Sequence, residues 1–184
     1  MQTLDDGAVL RRATPADVPG IFALITELAV YEREPDAVES TPELIHEAMF
    51  GERPTVYGHV VERDGEIAGI AIWFLNFSTW TGRNGIYLED LIVSERHRGR
   101  GYGLALMRAL ARECVEQGYT RFEWVVLDWN EPAIRFYRAI GAVGMDQWRV
   151  QRLDGAALAA LAAGRAGRGR MRACTASTAP SLPR

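Results

Sequence analysis

Residues Ile86 to Met107 read IYLEDLIVSERHRGRGYGLALM, and this stretch carries the clearest structural pattern of the chain. Its apolar first part, Ile86 to Val93, predicts a strand, and a helix is predicted from Tyr102 to Gln117. The connection between them is basic and rich in glycine, which lets a backbone approach a ligand closely or adopt strained angles. Such a loop at the N-terminus of a helix can bind an anion. We therefore expect an anion site at Arg98 to Gly103.

Two familiar phosphate-binding loops do not fit this segment. The P-loop needs Gly-Lys followed by Ser or Thr, but all 21 basic residues of this chain are arginine. The dinucleotide fingerprint needs Gly-x-Gly-x-x-Gly in a first βαβ unit, whereas Gly103 lies mid-chain and is followed by Leu-Ala-Leu. From the loop alone, a glycine-rich turn with solvated arginines stays open as the alternative to a ligand site.

The rest of the chain alternates between strand and helix patterns. A strand is predicted at Val9–Arg12, followed by a helix that Thr14 caps and Pro15 opens, and then by a loop from Tyr31 to Thr41. Further strands are predicted at Val56–Glu62, Ile67–Phe77, Phe122–Leu127 and Trp148–Leu153, and further helices from Pro42 to about Phe50, from Asn130 to Gly141 and from Asp154 to about Ala163. This order favours an α/β (mixed α+β) fold, with a mixed sheet and helices on both of its faces.

Length and composition indicate one folded domain with a tail. The 184 residues are enough for a single domain, which we place at residues 1–163. From Gly164 to Arg184 the composition changes to Gly, Arg, Ala, Ser, Thr and Pro, which predicts a disordered tail. Five arginines lie in that tail without an acidic residue, so the folded part is more acidic than the net charge of −3 suggests.

Several classes of protein are not expected. An acidic body disfavours nonspecific nucleic-acid binding, and no apolar run is long enough to cross a bilayer. The N-terminus lacks the basic and apolar regions of a signal peptide, and two cysteines, Cys114 and Cys174, cannot form a disulfide framework. The three histidines, His46, His59 and His97, show no metal-ligand spacing. We expect a cytoplasmic protein with no metal and no membrane partner.

Two motifs together resemble the GNAT acetyltransferase superfamily. Arg98, Gly101 and Gly103 form Arg-x-x-Gly-x-Gly between a strand and a helix, which is similar to that family's pyrophosphate loop. Downstream, NEPAIRFYRAIGA from Asn130 to Ala142 looks like its asparagine, Phe-Tyr and Gly-Ala segment. From Val9 to Ala163 the chain is also similar to the diamine (spermidine/spermine and thialysine) N-acetyltransferase branch, at LAVYE (28–32), FGERP (50–54), YLEDL (87–91), DWNEP (128–132) and Trp148-Arg149.

The resemblance implies where a cofactor would bind. Acetyl-CoA would lie where a mostly antiparallel sheet splays apart, between the strands at Ile86–Val93 and Phe122–Leu127. The implied contacts are backbone groups of Leu91, Ile92 and Val93, the pyrophosphate loop of Arg98, Gly99, Arg100, Gly101, Tyr102, Gly103 and Leu104, and Asn130, Pro132 and Ala133 from the other side. Members of this branch are usually homodimers, so we expect one here.

Acetyl transfer to an amine requires removal of a proton from the amine, stabilisation of an oxyanion and protonation of the leaving thiolate. The resemblance makes Tyr137 the acid for the thiolate, with Phe136 beside it as a packing residue, and makes Tyr31 and Glu32 substrate contacts. It favours Glu89 for amine binding and water-mediated proton removal. Strand alternation puts Glu89 and Asp90 on opposite faces but does not choose between them, and a structural carboxylate remains the alternative.

The sequence thus predicts an acetyl-CoA-dependent N-acetyltransferase. Its substrate would be a primary amine of a small cationic molecule such as a diamine, a polyamine or a lysine-like compound. A protein N-terminal or lysine acetyltransferase and a non-catalytic acyl-CoA-binding module are the alternatives. Trp73, Trp80 and Trp129 could line an apolar groove or fill the core, and the core is favoured for Trp73.

Overall fold

The computed structural model describes residues 1–165. Six strands form one sheet in it. Its strands, in spatial as well as chain order, are β1 (Gln2–Thr3), β2 (Val9–Arg12), β3 (Tyr57–Arg63), β4 (Glu66–Ser78), β5 (Arg83–Val93) and β6 (Phe122–Glu123). Neighbouring strands are antiparallel except for the parallel pair of β5 and β6. The mixed, mostly antiparallel sheet expected from the sequence is therefore confirmed.

Three helices accompany this sheet within a first compact unit, Met1–Asn130. They are α1 (Val18–Tyr31), α2 (Pro42–Phe50) and α3 (Tyr102–Glu116). The predicted start at Thr14-Pro15 corresponds to a short 3-10 turn, Pro15–Asp17, that leads directly into α1.

The helices cover both faces of the sheet because side chains alternate along β4. Ile70 and Ile72 belong to a buried cluster with residues of α1 and α2, made of Ile21, Leu24, Met49, Val60, Ile70, Ile72 and Ile92. Gly69, which directly precedes Ile70 on β4, faces the other way, since a side chain there would meet Leu106 of α3 at 3.5 Å. Burial of each of these large apolar side chains contributes about 2 kcal/mol to folding.

The last two strands part soon after they meet. The only paired positions of β5 and β6 in the described chain are Ile86 with Phe122 and Tyr87 with Glu123. Beyond them β5 continues to Val93, while residues 124–127 are in no strand, so the prediction of a strand over Phe122–Leu127 holds only for its first two residues. A gap therefore opens between the two chain segments towards the end of β5.

The second unit begins at Glu131. It contains α4 (Glu131–Ala139), which ends before the left-handed Gly141 (φ 93°), and α5 (Gly155–Ala162). The strand predicted at Trp148–Leu153 is wrong for this structure: the segment is irregular, and Trp148 and Val150 are 66% and 73% exposed. Their alternation fits a strand, but a strand requires a paired neighbour, and no described residue supplies one.

Some expectations lie outside what the described residues test. The predicted tail is described only at Gly164 and Arg165, and Cys174 lies beyond it. Cys114 is buried in α3, as expected for a core residue. None of the helices within residues 1–165 combines the length and apolar character required to cross a membrane. The single domain over residues 1–163 stays a prediction.

Candidate functional site

The loop between β5 and α3 takes its shape from two glycines. Gly99 and Gly101 have φ values of 77° and 81°, in the left-handed region that favours glycine, and Gly101 caps α3. A Cβ atom at either position would meet nothing within 4 Å, so the loop presents an open face. The first N–H groups of α3 have no acceptor within the helix, as at any helix N-terminus. Together these features suit a bound anion.

The three arginines of this loop point in different directions. Arg96 lies 3.3 Å from the carboxylate of Glu66, and Arg100 lies 3.9 Å from that of Asp6. Arg98 instead extends towards the end of α1. The sequence could not separate these roles, because each depends on a residue distant in the chain.

Tyr102, at the start of α3, offers only its backbone to a ligand of the loop. Its side chain is 1% exposed, and its hydroxyl donates a hydrogen bond to Asp6 Oδ2 at 2.6 Å. This bond, together with the desolvation of the ring, raises the pKa of Tyr102, with desolvation the larger cause. The side chain therefore anchors the helix to the N-terminal segment.

The end of β5 has one paired and one unpaired edge. Leu91, Ile92 and Val93 are paired with Ala71, Ile70 and Gly69 of β4, and no strand of the described chain pairs with their other edge. The side chain of Ile92 is 4% exposed within the buried cluster under α1. The side chain of Ile92 is therefore not available to a ligand at the unpaired edge.

A β-bulge separates the two neighbouring carboxylates on β5. Trp73 of β4 is opposite Leu88 and Ile72 is opposite Asp90, which leaves Glu89 as the extra residue. Directly opposite residues share a face, so Asp90 lies on the same face as Ile72, towards α1. Glu89 is exposed, whereas Asp90 is half-buried.

Asp90 is the carboxyl group whose acidity the fold changes most clearly at this site. Burial, together with the negative charges of Glu89 and Glu32, raises the pKa of Asp90 to about 6. Burial also raises the pKa of Glu32, which directly follows α1. Asp90 therefore lies near two other carboxyl groups at the bulge, and a cluster of carboxylates attracts a cation.

The end of α1 is joined to two other segments by a group that we call the Tyr31 cluster: Tyr31, Arg33, Arg98, Trp129 and Asn130. The Tyr31 hydroxyl donates a hydrogen bond to Asn130 Oδ1 at 3.0 Å. Its ring lies 6.0 Å from that of Trp129, centroid to centroid. The guanidinium of Arg98 lies 5.1 Å from the Tyr31 ring, and that of Arg33 lies 4.5 Å from the Trp129 ring.

The remaining predicted residues lie in the second unit. Pro132 and Ala133 form part of the first turn of α4, where proline is well tolerated. Tyr137 is half-buried near the end of this helix, and its ring centroid lies 5.3 Å from that of Phe136. Phe136 therefore has the packing contact expected of it.

Some residues of the site were missed by the sequence analysis. The sequence cannot choose between Glu89 and Asp90 because the bulge depends on pairing with β4, and Arg33 carries no recognisable signal. Trp73 is buried, as favoured, whereas Trp80 is 75% exposed at the β4–β5 turn. Trp129 belongs to the Tyr31 cluster. No group of three or more histidine, cysteine, aspartate or glutamate residues in the described chain is placed to hold a metal ion.

Known proteins with similar sequences and structures agree on one family. The model of the acetyltransferase (GNAT) family matches residues 21–142. Thialysine N-epsilon-acetyltransferase of Sus scrofa is 34% identical over 82% of this chain and 94% of its own length. L-ornithine N5-acetyltransferase NATA1 of Arabidopsis thaliana is 31% identical over 81% and 85%, respectively. The integron cassette protein VCH_CASS6 from V. cholerae shares the fold, with a TM-score of 0.72 and 24% identity over 84% of this chain and 97% of its own.

Proposed function

Since the chain belongs to the acetyltransferase (GNAT) family and is an N-acetyltransferase of its diamine-acetyltransferase-like branch, we propose that its substrate is a small cationic amine. The acetyl group comes from acetyl-CoA, the cosubstrate of this family. The acceptor is a primary amine of a diamine, a polyamine or a lysine-like amino acid. Relatives named for thialysine and ornithine support the lysine-like choice.

One observation carries this proposal. Two adjacent carboxylates lie on β5, and an open glycine loop at a helix N-terminus follows the same strand. Glu89 and Asp90 lie at the bulge of β5, and the open loop at Gly99 and Gly101 begins a few residues later. A cationic amine is attracted to the first, and a pyrophosphate to the second. The reacting groups of the two substrates would then meet along the unpaired edge between them.

The residues of the loop fit the pyrophosphate of acetyl-CoA. The open face at Gly99 and Gly101 admits a ligand to the backbone, and Arg98 or Arg100 can supply positive charge. Leu91 and Val93 offer backbone groups on the unpaired edge of β5 to the amide-containing arm of the molecule, whereas the backbone groups of Ile92 pair with Ile70 of β4. Leu104, Asn130, Pro132 and Ala133 complete the proposed contacts.

In the proposed reaction, the amine nitrogen attacks the thioester carbonyl directly while both substrates are bound. Glu89 binds the amine and accepts its proton through water, and the neighbouring Asp90 and Glu32 hold the cationic substrate. As the carbon–sulfur bond breaks, Tyr137 donates its phenolic proton to the thiolate. The products are the N-acetylated amine and CoA. Because the amine attacks the thioester directly, no covalent enzyme intermediate is needed.

The location, the oligomeric state and the partners of the enzyme are also part of the proposed function. We place it in the cytoplasm as a homodimer, without a metal, a membrane or a nucleic acid as a partner. An acidic chain with a net charge of −3 supports the last point, because phosphate backbones repel it.

The decisive experiment is a substrate panel that measures thiol release from acetyl-CoA. The panel contains ornithine, lysine, thialysine, putrescine, spermidine, an aminoglycoside and a lysine-containing peptide. We expect turnover with at least one small aliphatic amine and a much lower kcat/KM with the peptide. Turnover of the peptide alone would support a protein acetyltransferase instead, and tight CoA binding with no turnover of any amine would support a binding module.

A further inference from the structure

The Tyr31 cluster joins three segments that are far apart in the chain. Tyr31 ends α1, Arg98 lies in the loop before α3, and Trp129 with Asn130 follows β6. The residues that donate and accept the hydrogen bond, Tyr31 and Asn130, are 99 positions apart. Such a contact orders both side chains only if the two segments are already held in place.

The contacts of Tyr31 determine how two other side chains are oriented. Because its hydroxyl donates to Asn130 Oδ1, the amide oxygen of Asn130 faces Tyr31 and its donor end is turned away. The Tyr31 ring also attracts the guanidinium of Arg98, at 5.1 Å. A guanidinium that packs on a ring keeps the N–H donors in its own plane for other acceptors, including phosphate.

We propose that Tyr31 is a positioning residue for acetyl-CoA, which couples the cosubstrate site to the amine site. This inference rests on the proposed function, in which Arg98 and Asn130 contact the cosubstrate while Tyr31 and Glu32 contact the amine. By orienting the donors of Arg98 and Asn130, Tyr31 makes the affinity for the cosubstrate depend on a residue of the amine site. Coupling of this kind is reciprocal, so each ligand changes the affinity for the other by the same factor.

Trp129 and Arg33 add further contacts around Tyr31. The Trp129 ring packs against Tyr31 and is itself covered by the Arg33 guanidinium at 4.5 Å. Arg33 has a φ of 68°, which is uncommon for a residue other than glycine, and the chain turns there as it leaves α1. These contacts hold the Tyr31 ring in place.

The first test measures CoA affinity calorimetrically, without an amine, so that its result does not depend on turnover. Tyr31→Phe removes the hydroxyl and keeps the ring, and we expect CoA to bind about fivefold more weakly, as loss of one hydrogen bond would give. Tyr57→Phe is the matched control, because that tyrosine packs on Trp73 at 4.7 Å, away from the cluster. An unchanged dissociation constant in Tyr31→Phe would overturn the inference.

The second test asks whether the effect passes through Asn130. Asn130→Ala and the double variant with Tyr31→Phe complete a double-mutant cycle for CoA affinity. We expect the two losses to be clearly less than additive, whereas additive losses would show that Tyr31 does not act through Asn130 and would contradict the inference. The melting temperature of each variant, with Tyr57→Phe as reference, identifies any loss that comes from unfolding.

The coupling itself is measured by titrating CoA with and without a saturating amine from the panel. The wild type should show a change in CoA affinity on adding the amine, and Tyr31→Phe should reduce that factor towards one. An equal factor in both proteins would contradict the coupling. If no amine is turned over but Tyr31→Phe still weakens CoA binding, the positioning role stands and the proposed substrate class fails.

Discussion

Burial and two neighbouring negative charges oppose the ionisation of Asp90. Its pKa in the folded protein is about 6, against 3.8 for an ordinary aspartate, so the folded state binds the proton more tightly than the unfolded chain does. The free energy of unfolding must therefore fall as the pH rises from about 4 to about 6, and the full cost of the charge is present above pH 6.

Asp90→Asn should remove this cost. We expect the variant to exceed the wild type in free energy of unfolding by about 1 to 3 kcal/mol at pH 8, with little difference at pH 4. Chemical denaturation at the two pH values measures the effect, and Asp36→Asn, at an exposed position, is the control. A gain of the same size at both pH values would show that the charge of Asp90 is not the cause.

A substitution of Tyr137 tests the proposed protonation of the leaving thiolate. Tyr137→Phe keeps the ring and its packing against Phe136 but removes the acidic proton. We expect kcat to fall on the order of 10²-fold, as loss of a general acid does, while the affinity for acetyl-CoA stays near that of the wild type. Steady-state kinetics at saturating amine provide the measurement, and an unchanged kcat would remove Tyr137 from this role.

At the scale of elements, the loop between β5 and α3 can be compared with another glycine turn of similar backbone shape. Gly65, in the β3–β4 turn, has a φ of 82° and open space around it, almost the same backbone environment as Gly101 at 81°. The two positions therefore form a matched pair, in which a substitution creates similar backbone strain but only one places a side chain at the proposed pyrophosphate site.

Gly101→Glu should abolish measurable CoA binding, because it brings a negative charge to the anion site, while the protein remains folded. Gly65→Glu should lose a similar amount of stability, about 1 to 2 kcal/mol, and keep its CoA affinity. Calorimetric titration and thermal unfolding distinguish the two effects. Equal CoA affinities in the two variants would mean that the loop does not hold the pyrophosphate.

Local sequence patterns predict the helices and strands well, but they do not predict the contacts between residues on different strands or segments. The strand, glycine loop and helix from Ile86 onward follow from neighbouring residues, and the observed β5 and α3 match them. The bulge at Glu89 depends on the register with β4, and the bond from Tyr31 to Asn130 depends on the whole fold. The strand expected at Trp148–Leu153 has the right alternation but no partner in the described chain.

At the scale of the whole molecule, several large apolar side chains remain exposed to solvent. Phe77 and Trp80, near the β4–β5 turn, are 57% and 75% exposed, and Val143 in the second unit is 83% exposed. Exposed apolar side chains that lie close together in the chain, such as Phe77 and Trp80, favour contact with another protein surface. This observation supports the proposed homodimer, in which a second copy of the chain would cover part of them.

The protein should therefore have about twice the 20.5 kDa mass of one chain in solution. Sedimentation equilibrium over a dilution series at low micromolar concentrations measures this mass, and moderate salt should change it little, because apolar contacts are not screened. A mass of one chain throughout the series would contradict the homodimer.

The unpaired edge of β5 has a consequence for handling the protein. A row of backbone N–H and C=O groups that no strand within residues 1–165 covers is a template on which another extended chain can pair. If acetyl-CoA occupies that edge, it shields the protein from self-association as well as taking part in the reaction. Preparations without the cosubstrate should then aggregate sooner on concentration or warming than preparations kept with CoA.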